Sequence, residues 1–335
     1  MKKLFLSLVA AIVATTATFA QSSLLATLTH TDGNGPHTFI YYGTTALSQA
    51  HEAAVDGDII TLSSGSFDAV DITKGVTIRG AGMEIDPTTK SEPTVITGTF
   101  NISIPETTTE RLTIEGIYSN YDIRVASPLS GATFMKSRFK KIGYTGNPVI
   151  TNLTMIHCKV VESITTCSNS SITFLNSIIW EPTIDGHWEF LNCIIKKNNI
   201  NYFFENSTFK NCIFVAVENR TFPASDVIFN CVLASSDPTY NQFSTIYNAT
   251  NTVEDYSKVF KTCTSGTYSD SETFELTDNA AVTYLGTDNR QVGIYGGILP
   301  FNPRPSNPQI TNCVVAPKSD ANGKLSINVT VQGAE

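Results

Sequence analysis

The feature that most constrains this chain is a short pattern that returns about every 20 residues: apolar, any, Asn, Cys or Ser, any, apolar. It reads Phe174-Leu175-Asn176-Ser177-Ile178-Ile179, then Phe190-Leu191-Asn192-Cys193-Ile194-Ile195. It returns as Phe209-Lys210-Asn211-Cys212-Ile213-Phe214 and Ile228-Phe229-Asn230-Cys231-Val232-Leu233. Looser copies precede these at Phe134 to Phe139 and at Met155 to Val160. The third position falls at 136, 157, 176, 192, 211 and 230, so the spacings are 21, 19, 16, 19 and 19. Such a period belongs to a solenoid, in which each repeat buries its apolar face only against its neighbours. The segments are rich in Ile, Phe, Thr and Val and too short for helix pairs, so each repeat is mostly strand.

One arrangement accounts for every position of the pattern. The first apolar residue points inward from a short strand. Asn follows at a tight turn, where it tolerates left-handed dihedrals and hydrogen-bonds its neighbours. Cys or Ser and the last apolar residue, two apart, then point inward from the next strand. Stacked rungs lie roughly 4.8 Å apart, so equivalent residues form ladders through the core.

Other segments fit the same architecture. Ala46-Leu47-Ser48-Gln49-Ala50 opens a short helix, followed by Asp56-Gly57-Asp58-Ile59-Ile60-Thr61-Leu62 and Ser64-Gly65-Ser66-Phe67. Next comes Ile72-Thr73-Lys74-Gly75-Val76-Thr77-Ile78-Arg79-Gly80-Ala81-Gly82. With the repeats, this order resembles bacterial secreted β-helix proteins of the pectin-lyase-like superfamily. Phe274-Glu275-Leu276 leading to Gly293-Ile294-Tyr295-Gly296-Gly297 resembles their last rung. The resemblance spans residues 36 to 298 and implies an all-β chain: a right-handed single-stranded parallel β-helix with an N-terminal helical cap. It does not choose an activity, because this architecture carries lyases, hydrolases, esterases and non-enzymes.

Residues 1–20 read as a signal peptide: Lys2 and Lys3, an apolar run from Leu4 to Val13, and small residues ending at Ala20. The expected location is therefore secreted: periplasmic, cell-surface or extracellular. Residues 21–299 read as the capped β-helix, with a cap over 36 to 62 and rungs from about 70 to 235. Pro300, Pro303, Pro305 and Pro308 mark a linker within 300–335. Ile310 to Ala316 and Leu325 to Val331 then alternate as a C-terminal β-hairpin, to cap the helix or lie along its side. No later segment approaches the roughly 18 apolar residues of a transmembrane segment. Loss of Lys2 and Lys3 takes the formal charge from −8 to −10, and only 16% of residues are charged, which argues against a nucleic-acid partner.

Seven cysteines in an exported chain invite disulfides. However, Cys158, Cys193, Cys212 and Cys231 share one repeat position with Ser137 and Ser177, where parallel side chains disfavour disulfide geometry. They read as small buried thiols. Cys167, Cys263 and Cys313 fall outside this ladder, and their pairing stays open. No Cys-x-x-Cys or His pair offers metal-ligand spacing, so no metal or cofactor is expected.

Candidate sites are few. Between residues 111 and 235 the only aspartates are Asp122, Asp185 and Asp226, and the glutamates recur at no common offset. The carboxylate sets of a calcium-dependent lyase or a glycoside hydrolase are not visible. Arg138, Lys140 and Lys141, with Arg124 one rung earlier, could bind an anionic glycan, or be solvated groups after a strand. Trp180, Glu181, Asp185, His187, Trp188 and Glu189 place both tryptophans beside three carboxylates, a chemistry that suits sugar stacking and hydroxyl binding. The competing reading packs Trp188 in a rung while Trp180 covers a loop. Met135, Ile156, Leu175 and Leu191, then Ile178, Ile194, Ile213 and Val232, should point outward as an apolar stripe. It must be covered by the hairpin, a long loop or a second subunit.

The expected function is a non-catalytic β-helix that binds polysaccharide or acts as a surface scaffold. One alternative is a polysaccharide lyase or glycoside hydrolase with an atypical site at Asp185, His187 and Glu189. The other is an adhesive protein that forms homo-oligomers through the stripe.

Overall fold

A computed structural model describes residues 24–87, 89–165, 169–183, 186–196, 206–215, 225–237, 251–266, 268–306, 308–316, 318–319 and 322–332. The leader, Cys167 and Asp185 lie outside the described residues. The chain forms an all-β parallel solenoid of about 8 turns. Two long sheets run the length of the coil. In the first, Ile59–Leu62 is followed in parallel by Thr77–Arg79, Thr113–Glu115, Thr133–Met135 and Leu153–Ile156. Ser170–Leu175, Gly186–Leu191, Thr208–Lys210 and Val227–Phe229 complete it. The second sheet begins at Gly65–Asp68 and ends at Asn251–Asp255, which pairs in parallel with Cys231–Ser235.

The turn between the sheets carries the repeat. Gly116, Lys136, His157, Asn176, Asn192, Asn211 and Asn230 all have φ between +44° and +68°. Asn enters this left-handed region more readily than other side-chain-bearing residues, which explains its recurrence. Before each turn an apolar side chain points inward, so that Phe174, Phe190 and Phe209 stack with ring centroids 4.7 and 4.8 Å apart. After the turn stands the Ser/Cys position. The Cys158 amide donates to Ser177 Oγ (3.0 Å), and the Cys193 and Cys212 amides donate to the sulfurs of Cys212 and Cys231 (3.5 and 3.4 Å). Each group also donates to the carbonyl two residues back, as Ser177 does to Leu175 O (2.8 Å) and Cys212 to Lys210 O (3.3 Å). Hydroxyl and thiol exchange here because both accept from one rung while donating to their own.

The N-terminal cap is larger than the sequence suggested. An antiparallel hairpin, Leu25–Asp32 with Gly35–Tyr42, joins Ile59–Leu62 before the helix Ala46–Ala53 closes the end. That helix buries Ala46, Leu47, Ala50 and His51. At the other end the expected last rung is corrected. Phe274 and Leu276 belong to no coil; they pack with Tyr256, Val259, Phe260, Ala280, Val292 and Ile294 over Ile178, Ile194, Ile213 and Val232. The second half of the apolar stripe is therefore buried by residues 256 to 294 of the same chain and offers no face for self-assembly. Full burial of each such side chain contributes roughly 1.5–3 kcal/mol, enough to hold a long irregular segment against the coil.

From Leu285 to Ser306 the chain runs back along the turn ladder as a strap. Asn230 Nδ2 donates to Leu285 O (3.0 Å), and the Thr287 amide donates to Asn211 Oδ1 (2.9 Å). Asn176 Nδ2 reaches both Ile294 O and Gly296 O (2.8 and 2.9 Å). His157 Nε2 donates to Leu299 O (3.0 Å), and the Ser306 amide donates to Glu115 Oε1 (2.6 Å). The C-terminal hairpin pairs Gln309–Val315 with Ile327–Gln332. Its Val314, Ile327, Val329 and Val331 are exposed, so they cover neither half of the stripe. No helix among the described residues is long and apolar enough to cross a membrane.

Candidate functional site

Folding dismantles the tryptophan cluster expected from the sequence. Trp188 alternates inward on Gly186–Leu191, is fully buried, and packs against Phe174 and Phe190. Trp180 ends a short strand whose outer side is roofed by the chain that follows the coil. Tyr268 meets its ring edge-on at 5.1 Å and Phe274 lies at 5.7 Å. Neither ring can stack on a sugar, which corrects both ligand-binding assignments. Glu181, half-buried in a left-handed turn, pairs with Lys196.

The basic patch is likewise corrected. Arg138 is buried, with Nε and Nη2 donating to Asp270 (2.9 and 3.0 Å) and its guanidinium 4.5 Å over the Tyr118 ring. Burial opposes its charge, and the hydrogen bond to Asp270 overrides that, so its pKa is raised. Lys140 pairs with Glu162 (3.5 Å), and Arg124 with Asp122 (3.6 Å). Lys141 is half-exposed on the same strand. Three of the four cations thus face carboxylates of their own chain, leaving little net field for an anionic glycan.

His187 and Glu189 keep outward, exposed positions two residues apart. His187 Nδ1 lies 3.4 Å from Asn206 O. Among the described residues no three His, Cys, Asp or Glu side chains gather closely enough to hold a metal ion.

What His187 and Glu189 do share is a face. Glu189 occupies one column of the first sheet, in register with Thr173 on one side and Thr208 on the other. Continued through the pairing, the column reads Ile59, Thr77, Thr113, Thr133, Thr154, Thr173, Glu189, Thr208, Val227. The six threonines are half-exposed and repeat at the rung spacing of roughly 4.8 Å, over about 29 Å of sheet. Two residues before Thr113, Thr154, Thr173, Glu189 and Thr208 stand polar side chains, Arg111, Asn152, Ser171, His187 and Asn206, while Gly75 and Gly131 precede Thr77 and Thr133. Two residues later stand Met135, Ile156, Leu175 and Leu191, half-buried, which form the other half of the apolar stripe. The face therefore presents hydroxyls in a line, flanked by donors and acceptors on one side and apolar surface on the other.

The ladder escaped the sequence reading because its threonines lie three residues before the Asn position and are unremarkable in a strand. Aligning them on the Asn register would have found Thr113 to Thr208. Beside this face, a cleft of about 280 Å³ opens between the turns that precede three successive strands. Ile104, Leu112 and Leu129 form its buried floor, and exposed Glu106, Glu110 and Arg111 its rim.

These features define a parallel β-solenoid with a threonine-lined outer face. No protein-family model, curated protein or solved structure matches the chain.

Proposed function

We propose that this is an exported, non-catalytic right-handed β-solenoid of pectin-lyase-like type that binds an extended polysaccharide along the threonine face. The observation that carries this reading is the ladder Thr77, Thr113, Thr133, Thr154, Thr173 and Thr208, a one-dimensional repeat on a surface. A polymer with repeating hydroxyls can meet such a ladder in the same way at successive rungs, so weak contacts add along one ligand. Threonine offers a hydroxyl that both donates and accepts, plus a methyl group for the apolar face of a sugar ring. The neighbouring apolar column widens that contact. The leader-like start of the chain is consistent with a place where such polymers occur.

The test is affinity electrophoresis and pull-down of the purified chain against a panel of neutral and acidic polysaccharides, with reducing and unsaturated ends monitored in parallel. Retention by at least one polysaccharide is expected, weakened about tenfold or more by Thr133→Arg with Thr154→Arg and unchanged by Trp180→Phe. Retention that ignores the threonine substitutions overturns the ladder as the site. Accumulating product ends, lost on substitution of His187 or Glu189, would instead establish a lyase or hydrolase on the same face.

A further inference from the structure

We infer that the cleft beside the ladder is a subsite for a neutral sugar branch, which makes the preferred ligand a substituted polysaccharide and not a bare linear one. This rests on the threonine face holding the main chain.

The position of the cleft carries the first part of the argument. Arg111 stands two residues before Thr113 on the same outer surface. Leu129–Ser130 pairs in register with Ile150–Thr151, and these pairs lie just before Thr133 and Thr154. The cleft is thus lateral to the ladder, at the level of Thr113, Thr133 and Thr154. It does not continue the line of threonines. A main chain lying along the ladder passes its mouth, and only a group projecting sideways from that chain can enter.

Its chemistry carries the second part. The floor of Ile104, Leu112 and Leu129 offers apolar contact to the C–H surface of a ring, while the rim offers hydroxyl-binding groups. Glu106 and Glu110 accept from sugar hydroxyls. Arg111, whose Nη1 already donates to Ser130 O (3.3 Å), keeps further donors for a ring or linkage oxygen. Two carboxylates against one guanidinium leave the rim net negative. A uronate or sulfate branch meets repulsion there, and a neutral hexose or pentose does not.

The experiment compares paired ligands with a shared backbone: galactomannan against linear mannan, and xyloglucan against cello-oligosaccharide, each titrated calorimetrically. A glucuronate-substituted xylan serves as the charged branch. The expected result is at least fivefold tighter binding of the neutral substituted member of the pair whose backbone is bound. The glucuronate-bearing xylan should show no such gain over linear xylan. Ser130→Tyr, at an exposed rim position, should remove the preference and leave affinity for the linear member unchanged. Thr154→Arg should weaken both members. Equal affinity for linear and substituted ligands, or a preference that survives both Ser130→Tyr and the cleft-filling Leu129→Phe, overturns the branch subsite while leaving the ladder intact. If none of these polysaccharides binds, the threonine face itself is not a glycan site and the branch subsite falls with it.

Discussion

Asn176 performs two tasks, and substitution can separate them. Its backbone holds φ = +44°, and its buried side-chain amide donates to Ile294 O and Gly296 O of the strap. A left-handed alanine costs roughly 1–2 kcal/mol, a cost that glycine avoids. Two hydrogen bonds contribute about 0.5–1.5 kcal/mol each, and more when their loss strands buried carbonyls. Asn176→Gly should therefore cost about 1–3 kcal/mol and Asn176→Ala about 2–5 kcal/mol. Asn152 supplies the comparison: it also has a left-handed backbone (φ = +54°), but its side chain is exposed. There, Ala should cost only the backbone share of about 1–2 kcal/mol, and Gly close to nothing. The measurement is urea unfolding followed by far-UV circular dichroism, with slopes compared to confirm that the unfolding unit is unchanged. The difference between positions at matched substitution isolates the strap bonds. If Asn176→Gly and Asn152→Gly agree within about 0.5 kcal/mol, the strap is not held by this amide and the ladder–strap account is wrong.

Three further outcomes are expected. His157 and His51 are buried, and burial lowers both pKa values from the ordinary 6.5, so the unfolded chain takes up protons first as pH falls. Their contribution to stability is complete above about pH 6.5 and lost below it; melting from pH 8 to 5 should show a shallower decline in His157→Gln, and an unchanged decline would refute this. Asp270→Ala leaves Arg138 buried without its carboxylate; because Asp270 is itself 55% exposed, the expected cost is about 1–3 kcal/mol. Loosening around Tyr268 should red-shift Trp180 emission in a Trp188→Phe background, and emission that stays put would place the hold on this covering segment elsewhere. Finally, Cys212→Ser should cost under about 1.5 kcal/mol, because Ser137 and Ser177 already fill equivalent positions and make the same bonds. In a Cys167→Ser, Cys313→Ser background the native chain should be inert to thiol reagents because the five remaining thiols are all buried out of a reagent's reach; burial also pushes Cys158 up to about 12 and Cys263 to about 11. Rapid native labelling would show that the core opens.

The sequence by itself determined the coil. A turn position, Asn in four of six copies and recurring every 16 to 21 residues, with an apolar residue two before and another three after, marks a turn and two inward positions at each rung. Backbone geometry and side-chain alternation are local, so the repeat, the Ser/Cys ladder and the C-terminal hairpin were legible from single segments. The outward direction of Ile194, Ile213 and Val232 was legible too, and with it the need for a cover. What covers them was not. Residues 256 to 294 bear no periodic pattern, and their fit to the stripe is a property of two surfaces that meet only after folding. Trp180, Trp188 and Arg138 were misread for the same reason. A tryptophan next to carboxylates in sequence looks like a site until alternation turns one ring into the core and a returning segment roofs the other. The threonine face and its cleft lie at the opposite extreme. Each threonine is ordinary in its own strand, and only the parallel register, which superimposes residues about 20 apart, turns six of them into one surface.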